Sequence, residues 1–322
     1  MDAKAVFQTV SEDFENVNKI IYQQLASHVP MVEKVAEYII SSGGKRMRPT
    51  LVLLTAGMTG QVSETHCELA TVIEFLHTAT LLHDDVVDTS DMRRGRQTAN
   101  AKWGNAPSVL VGDFLYARSF ELLVKIANLD VMNSLASTTR KIAEGEVMQL
   151  MNVKNPNTTE AQYMDVITGK TAILFEASAR TSGIISHCSS DEIDDLAMYG
   201  LNLGLAFQLI DDVLDYSGDA ETLGKNVGDD LAEGKPTLPL IHAMENGNDD
   251  EIKLIRSCIR KGSLDQLEEV QAIIKRNQSI EYVEAKALQH VQIAKNALAK
   301  FRDNRYKTAL LSLADIAVER RN

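Results

Sequence analysis

The chain has 322 residues, of which 44% are hydrophobic and 24% charged, and its formal net charge is -12 at pH 7. Such a composition fits a globular protein with a sizeable core, and the acidic balance argues against nucleic acid as the main partner. Anionic ligands stay possible, because a few focused cations or a bound metal can hold them.

The N-terminus, MDAKAVFQTVSEDFENV, is acidic and amphipathic and lacks the basic start and apolar core of a signal peptide. From there apolar residues recur at three- and four-residue spacing, and Pro30, Pro49, Pro107 and Pro156 fall where helices would begin or end. The pattern predicts helices over about 4–27, 31–41, 49–58, 64–90, 106–127, 130–152 and 159–183. It continues over about 191–216, 236–246, 250–260, 265–275, 279–302 and 305–319. There is almost no strand signal. Ser217–Pro236, rich in Gly, Asp and Lys, is the clearest long loop, and long loops in compact helical domains are often functional. The longest charge-free apolar stretch, Leu196–Ile210, is shorter than the roughly 18–20 residues of a membrane span. Cys67, Cys188 and Cys258 are scattered without metal-ligand spacing, as in a reducing compartment. A soluble, cytoplasmic, all-α protein with a single domain over 1–322 is expected, built as a bundle of long helices.

Two triplets of carboxylates interrupt this apolar pattern. LLHDDVVDTSDMRR places Asp84, Asp85 and Asp88 on a helix whose Leu81, Leu82, Val86 and Val87 look buried. Asp84 and Asp88 lie about 40° apart on one face, where like charges repel. One such triplet alone is ordinarily a solvated acidic patch. FQLIDDVLDYSGD repeats the spacing with Asp211, Asp212 and Asp215, again in an apolar helix. If the two helices faced one another, six carboxylates would surround one cavity and would require cations. Oxygen-only ligation selects a hard ion such as Mg²⁺, which takes a few carboxylates plus water and phosphate oxygens.

Basic residues accompany the triplets. SSGGKRMRP carries Lys45, Arg46 and Arg48 after two glycines, and Arg93, Arg94 and Arg96 follow the first triplet. Either group alone fits a solvated surface; together they could bind a second phosphate without metal. His77 precedes Asp84 by two helical turns on nearly the same face. TGKT, with Lys170 and Thr171, imitates the end of a P-loop, but Met164 stands where the required glycine would be and no strand precedes it. Gln208 is a polar insertion one turn before Asp211.

Together, both Asp triplets, GGKRMRP, LLHDDVVDTSDMRRG, the GKT helix and FQLIDDVLDY…GKNVGDDLAEGKPTLPL resemble the trans-isoprenyl diphosphate synthases, from about Val17 to Arg320. Among these, the chain looks most like the bacterial octaprenyl diphosphate synthases that make quinone side chains. The resemblance implies an all-α homodimer with a deep central cavity, condensing an allylic diphosphate such as farnesyl diphosphate with successive isopentenyl diphosphates to a C40 product. It implies that Asp84, Asp85 and Asp88, joined by Asp211, Asp212 and Asp215, hold up to three Mg²⁺ on the allylic diphosphate. It assigns Lys45, Arg48, His77 and Arg94 to isopentenyl diphosphate, and Arg93, Lys170, Lys225 and Lys235 to the allylic diphosphate. Thr171 and Gln208 would sit near the cationic carbon.

Product length is expected to depend on Ala79 and Thr80, small residues where short-chain relatives commonly have aromatic ones. They would leave a channel from Asp84 toward Glu64, about 30 Å at 1.5 Å per residue, floored by Leu123 and Leu135 by analogy. The alternatives are a shorter- or longer-chain synthase, a non-catalytic subunit of a heteromeric synthase, a terpene cyclase, and a metal-binding structural bundle. Lys45 and Arg48 argue against the cyclase, which needs no second diphosphate site. Retention of both Asp triplets argues against the non-catalytic subunit.

Overall fold

Apolar spacing becomes helix almost throughout the computed structural model, which describes residues 1–217 and 227–319. The first expected helix is two, α1 (Ala3–Gln8) and α2 (Ser11–Leu25). Thr9 and Ser11 turn their hydroxyls back onto the carbonyls of Ala5 and Gln8, a local competition that interrupts the helical run. Next come α3 (Pro30–Ser41), α4 (Met47–Thr59), α5 (Glu64–Val87), α6 (Ala99–Trp103), α7 (Asn105–Ile126) and α8 (Leu129–Asn152). Between α5 and α6 lies a hairpin absent from the sequence expectation, β1 (Met92–Arg93) paired antiparallel with β2 (Arg96–Gln97). Arg94 and Gly95 form its two-residue turn with φ of 53° and 73°, so arginine stands where Asn or Gly is usual.

The helix expected over 159–183 is helical throughout but changes winding. It comprises α9 (Glu160–Ile167), one π-helical turn at Thr168–Ala172, and α10 (Ile173–Ile185). The backbone of that turn lies against Gly145 of α8, where a Cβ would come within 2.6 Å of the Lys170 nitrogen. Single π turns inside helices are frequent at functional sites. The 28-residue α11 (Ser190–Ser217) follows. Shorter helices complete the described chain at Asp229–Glu233, Leu238–Asn246, Asp249–Lys261, Leu267–Arg276, Ser279–Ala297 and Arg305–Val318.

The backbone gathers into two compact units. One comprises Met1–Thr139, Leu174–Gly200 and Ala297–Leu313; the other takes the remainder. In the first, α5 is the axis, packed along α7 and flanked by α4 and α2. Every residue from His66 to Leu76 is buried, as in a helix enclosed on all sides. Its start is fixed by a capping box in which Ser63 and His66 satisfy each other's ends. Val87, expected in the apolar body of α5, is instead 62% exposed, because it lies on the opposite helix face from fully buried Asp85 two residues earlier. In the second unit, the Leu201–Ser217 half of α11 packs through Leu205, Leu209, Ile210 and Val213 against Tyr163, Leu238, Ile241 and Val283.

Candidate active site

Within the first unit, the basic loop and the hairpin come together. Gly43 and Gly44 adopt φ of 77° and 136°, conformations that favour glycine. Gly44 is needed twice over, since a Cβ there would lie 2.5 Å from Nη1 of Arg94, whose guanidinium rests on the loop backbone. Arg94 is itself held in a left-handed conformation, a form of backbone strain that clusters at functional sites. Lys45 is exposed and Arg48 half-buried. The Arg48 guanidinium stacks 4.3 Å from the centroid of the Phe175 ring, and its Nη1 lies 3.1 Å from Nε2 of His77.

Burial and the charges of Arg48, Arg94 and Arg93 hold the His77 imidazole well below its ordinary pKa. It is therefore neutral, and because arginine only donates, Nε2 accepts and the proton sits on Nδ1. Arg46 takes a different course from its neighbours. Its Nη1 donates to Asn18 at 2.6 Å, its Nη2 to the Ile40 carbonyl, and its Nε approaches Glu74 Oε1 at 3.6 Å. It is turned into the protein.

The first Asp triplet ends α5. Asp85 is fully buried, and its Oδ1 accepts from Nε and Nη2 of Arg93 at 2.9 and 2.7 Å. Arg93 thus neutralises an aspartate directly rather than only extending the basic cluster. Asp85 Oδ2 is buried without a hydrogen-bond partner among the described residues, an acceptor oriented for something absent from the polypeptide. Asp84 and Asp88 are half-buried alongside it.

In the second unit a hydrogen-bonded chain converges on Asp212. Thr171 Oγ1 donates to Gln208 Oε1 at 3.0 Å, and Gln208 Nε2 donates to Asp212 Oδ1 at 2.8 Å. Tyr163 donates its hydroxyl to Asp212 Oδ2 at 2.6 Å. Burial and the Asp230 charge nonetheless push the Asp212 carboxyl up to about 8. Asp215 is fully buried and its Oδ2 accepts from the Asp230 backbone nitrogen. Asp211 is half-buried. Lys170, on the π turn, donates to Glu146 Oε2 at 2.8 Å, and Lys235 pairs with Glu233. Lys225 lies outside the described residues.

Among the described residues no three His, Cys, Asp or Glu side chains are gathered as a ready-made metal cage. The donor set still fits Mg²⁺, which keeps few protein ligands and completes its shell with water and phosphate oxygens. The unsatisfied Asp85 oxygen is the kind of hard donor such an ion would take. Of the expected length-determining residues, Ala79, Leu123 and Leu135 are fully buried, and Thr80 is half-buried with its hydroxyl bonded to the His77 carbonyl.

Sequence reasoning missed Glu74, Tyr163 and the role of Asp230. Only GDDL, which contains Asp230, carried a visible signal, as a further Asp-Asp pair in a glycine-rich loop. Glu74 lies in an apolar stretch of α5 and Tyr163 among the mixed residues of α9, and neither gives a sign of its distant partners.

The sequence model of the polyprenyl synthetase family matches residues 29–276. The chain belongs to that family. As a member it is a prenyltransferase. It is 48% identical to the octaprenyl diphosphate synthase of Escherichia coli K12 over 321 residues, covering 99% of each chain. It is 44% identical to the geranyl-diphosphate-specific all-trans-nonaprenyl-diphosphate synthase of Rhodobacter capsulatus, over 98% of this chain and 97% of that one. Among solved structures it matches a polyprenyl synthase from Caulobacter crescentus complexed with calcium and isoprenyl diphosphate. That match has a TM-score of 0.96 and 41% identity, covering 100% of this chain and 98% of the other.

Proposed function

We propose that the protein is a long-chain trans-polyprenyl diphosphate synthase. It extends an allylic diphosphate, farnesyl diphosphate, with successive isopentenyl diphosphates to octaprenyl (C40) diphosphate for quinone side chains. It acts as a cytoplasmic homodimer of single-domain subunits with Mg²⁺. The observation that carries this reading is that two clusters of opposite charge lie along α5. Arg48 meets neutral His77, Arg94 lies on Gly44 of the Arg48 loop, and the Asp84, Asp85 and Asp88 carboxylates follow about 10 Å farther along the axis. A cation-only cradle and a carboxylate site on one helix suit two diphosphate substrates that must be told apart.

In this reading Lys45, Arg48, His77 and Arg94 bind isopentenyl diphosphate directly. His77 donates through Nδ1 while Arg48 fixes its tautomer at Nε2. Asp84, Asp85, Asp88, Asp211, Asp212 and Asp215 hold Mg²⁺ on the allylic diphosphate, with Arg93, Lys170, Lys225 and Lys235 on its oxygens. Bound Mg²⁺ supplies charge neutralisation for a departing diphosphate. Glu146 and Glu233 keep Lys170 and Lys235 in place until a more strongly charged partner arrives. The Thr171 proton is committed to Gln208, so the hydroxyl oxygen offers lone pairs to a nearby carbocation without a labile proton. The isopentenyl double bond attacks that carbon, and the released diphosphate takes the proton then lost.

The calcium and isoprenyl diphosphate of the Caulobacter structure support a divalent ion beside a prenyl diphosphate. Homodimerisation is supported by apolar residues left exposed along α7 and α8, including Val109, Leu110, Val124 and Leu129. Among the described residues no helix is long and apolar enough to cross a membrane. The single-domain reading is supported by α8, α11 and Arg305–Val318, each of which contributes residues to both units.

The test is purified protein with Mg²⁺, farnesyl diphosphate and labelled isopentenyl diphosphate, with products resolved by length. A dominant C40 product is expected. No elongation would overturn the enzyme reading, and arrest at C20 would overturn the long channel.

A further inference from the structure

Glu74 has no place in the chemistry above, yet it lies beneath the basic cluster. It is on α5, one turn before His77, and only 7% exposed. Its Oε1 faces the Arg46 guanidinium at 3.6 Å, and its Oε2 is buried without a hydrogen-bond partner among the described residues. Burial pushes its carboxyl above the usual range, and the charges of Arg46, Arg48 and Arg94 hold that rise in check. Leaving a buried carboxylate oxygen unsatisfied is costly, and such an arrangement requires compensation nearby.

The compensation is visible in the arginines. Arg48 is half-buried against His77, and Arg94, though exposed as a residue, lays its guanidinium on Gly44 of the same loop, so two like charges are held in one region. Arg94 loses solvation there and is further disfavoured by Arg93 and Arg46, while Glu74 and Asp85 favour its charge. Arg46 is already bound to Asn18, to the Ile40 carbonyl and against the Phe14 ring, so it ties Glu74 to the scaffold.

We propose that Glu74 is a positioning residue: its carboxylate is the fixed counter-ion that keeps Arg48 and Arg94 gathered over Gly44 and His77 before a diphosphate binds. The inference rests on the reading of this cluster as the isopentenyl diphosphate site. Glu74 does not touch the substrate. It raises affinity by lowering the cost of holding two guanidiniums together in the empty site, which is pre-organisation. The naive electrostatic expectation is the opposite, since removing a negative charge near an anion site should tighten anion binding.

The experiment is steady-state kinetics of Glu74→Gln, which keeps the shape and removes the charge. The KM for isopentenyl diphosphate is expected to rise about tenfold, equivalent to about 1.4 kcal/mol of binding. The KM for the allylic diphosphate and kcat should stay within about threefold. Glu74→Asp, which restores the charge at shorter reach, should recover part of the loss. A merely structural role would lower the melting temperature without separating the two KM values. An unchanged or lower KM for isopentenyl diphosphate in Glu74→Gln would overturn the proposal. Should that variant not fold, Arg46→Met removes the tie and should raise the same KM severalfold; no change there would equally overturn it. If the wild-type enzyme shows no saturable dependence on isopentenyl diphosphate, the reading of the cluster fails instead.

Discussion

Ala79→Tyr tests the relation between α5 and product length. Ala79 is fully buried and five residues before Asp84, so it sits about 7.5 Å down the helix axis from the carboxylates. Each prenyl unit adds four chain bonds, about 5 Å when extended. A tyrosine ring at that level leaves room for roughly two units below the one bearing the diphosphate, so C15 and at most C20 is expected. The assay uses dimethylallyl and geranyl diphosphates as primers, because a C15 primer would already meet the ring. Labelled isopentenyl diphosphate is followed into products separated by length, and the first addition should keep a rate within about threefold of wild type. Thermal unfolding gives an independent check. A ring entering an open channel costs little, whereas one forced into a filled core costs about 1–3 kcal/mol. An unchanged product length, with or without lost stability, would show that the growing chain does not pass Ala79.

Other consequences follow from the site geometry. The His77 pKa is depressed in the folded state, so below the ordinary value of 6.5 the unfolded chain takes up a proton that the native one refuses. Stability contributed by neutral His77 is therefore present above pH 6.5 and lost on acidification. Urea unfolding should show a slope approaching 1.36 kcal/mol per pH unit that His77→Gln removes, and an unchanged slope would contradict the burial argument. Gly44→Ala places a methyl 2.5 Å from Arg94 and strains a φ of 136°. It should raise the KM for isopentenyl diphosphate by tenfold or more, and crystallography of the variant should show Arg94 displaced. Tyr163→Phe removes one of the two side-chain hydrogen bonds to Asp212 among the described residues, and the Mg²⁺ concentration for half-maximal activity should rise about 10-fold. An unaltered Mg²⁺ titration would mean that Asp212 needs no orientation by Tyr163.

The sequence by itself determined whatever depends on short separations along the chain. Three- and four-residue apolar spacing is enough to make α4, α5, α7, α8 and α11, because a helix closes its hydrogen bonds four residues away. The same rule made the Asp84–Asp88 and Asp211–Asp215 triplets legible, since their spacing is itself helical geometry. Tertiary structure decided what depends on distant partners. Gly44 and Arg94 are fifty positions apart, so nothing local says that one must lack a side chain because the other lies on it. Glu74 reads as one acidic residue in an apolar stretch until Arg46, from a different segment, comes within 3.6 Å of it. The π turn at Thr168–Ala172 lies where Gly145 of α8 meets the backbone at Gly169 and Lys170. Arg93 and Asp85 are eight residues apart, but α5 must end and the chain reverse through the left-handed Thr89, with φ of 51°, before one meets the other. Periodicity records which face of a helix is greasy; charge pairs and close backbone contacts exist only once separate segments have met.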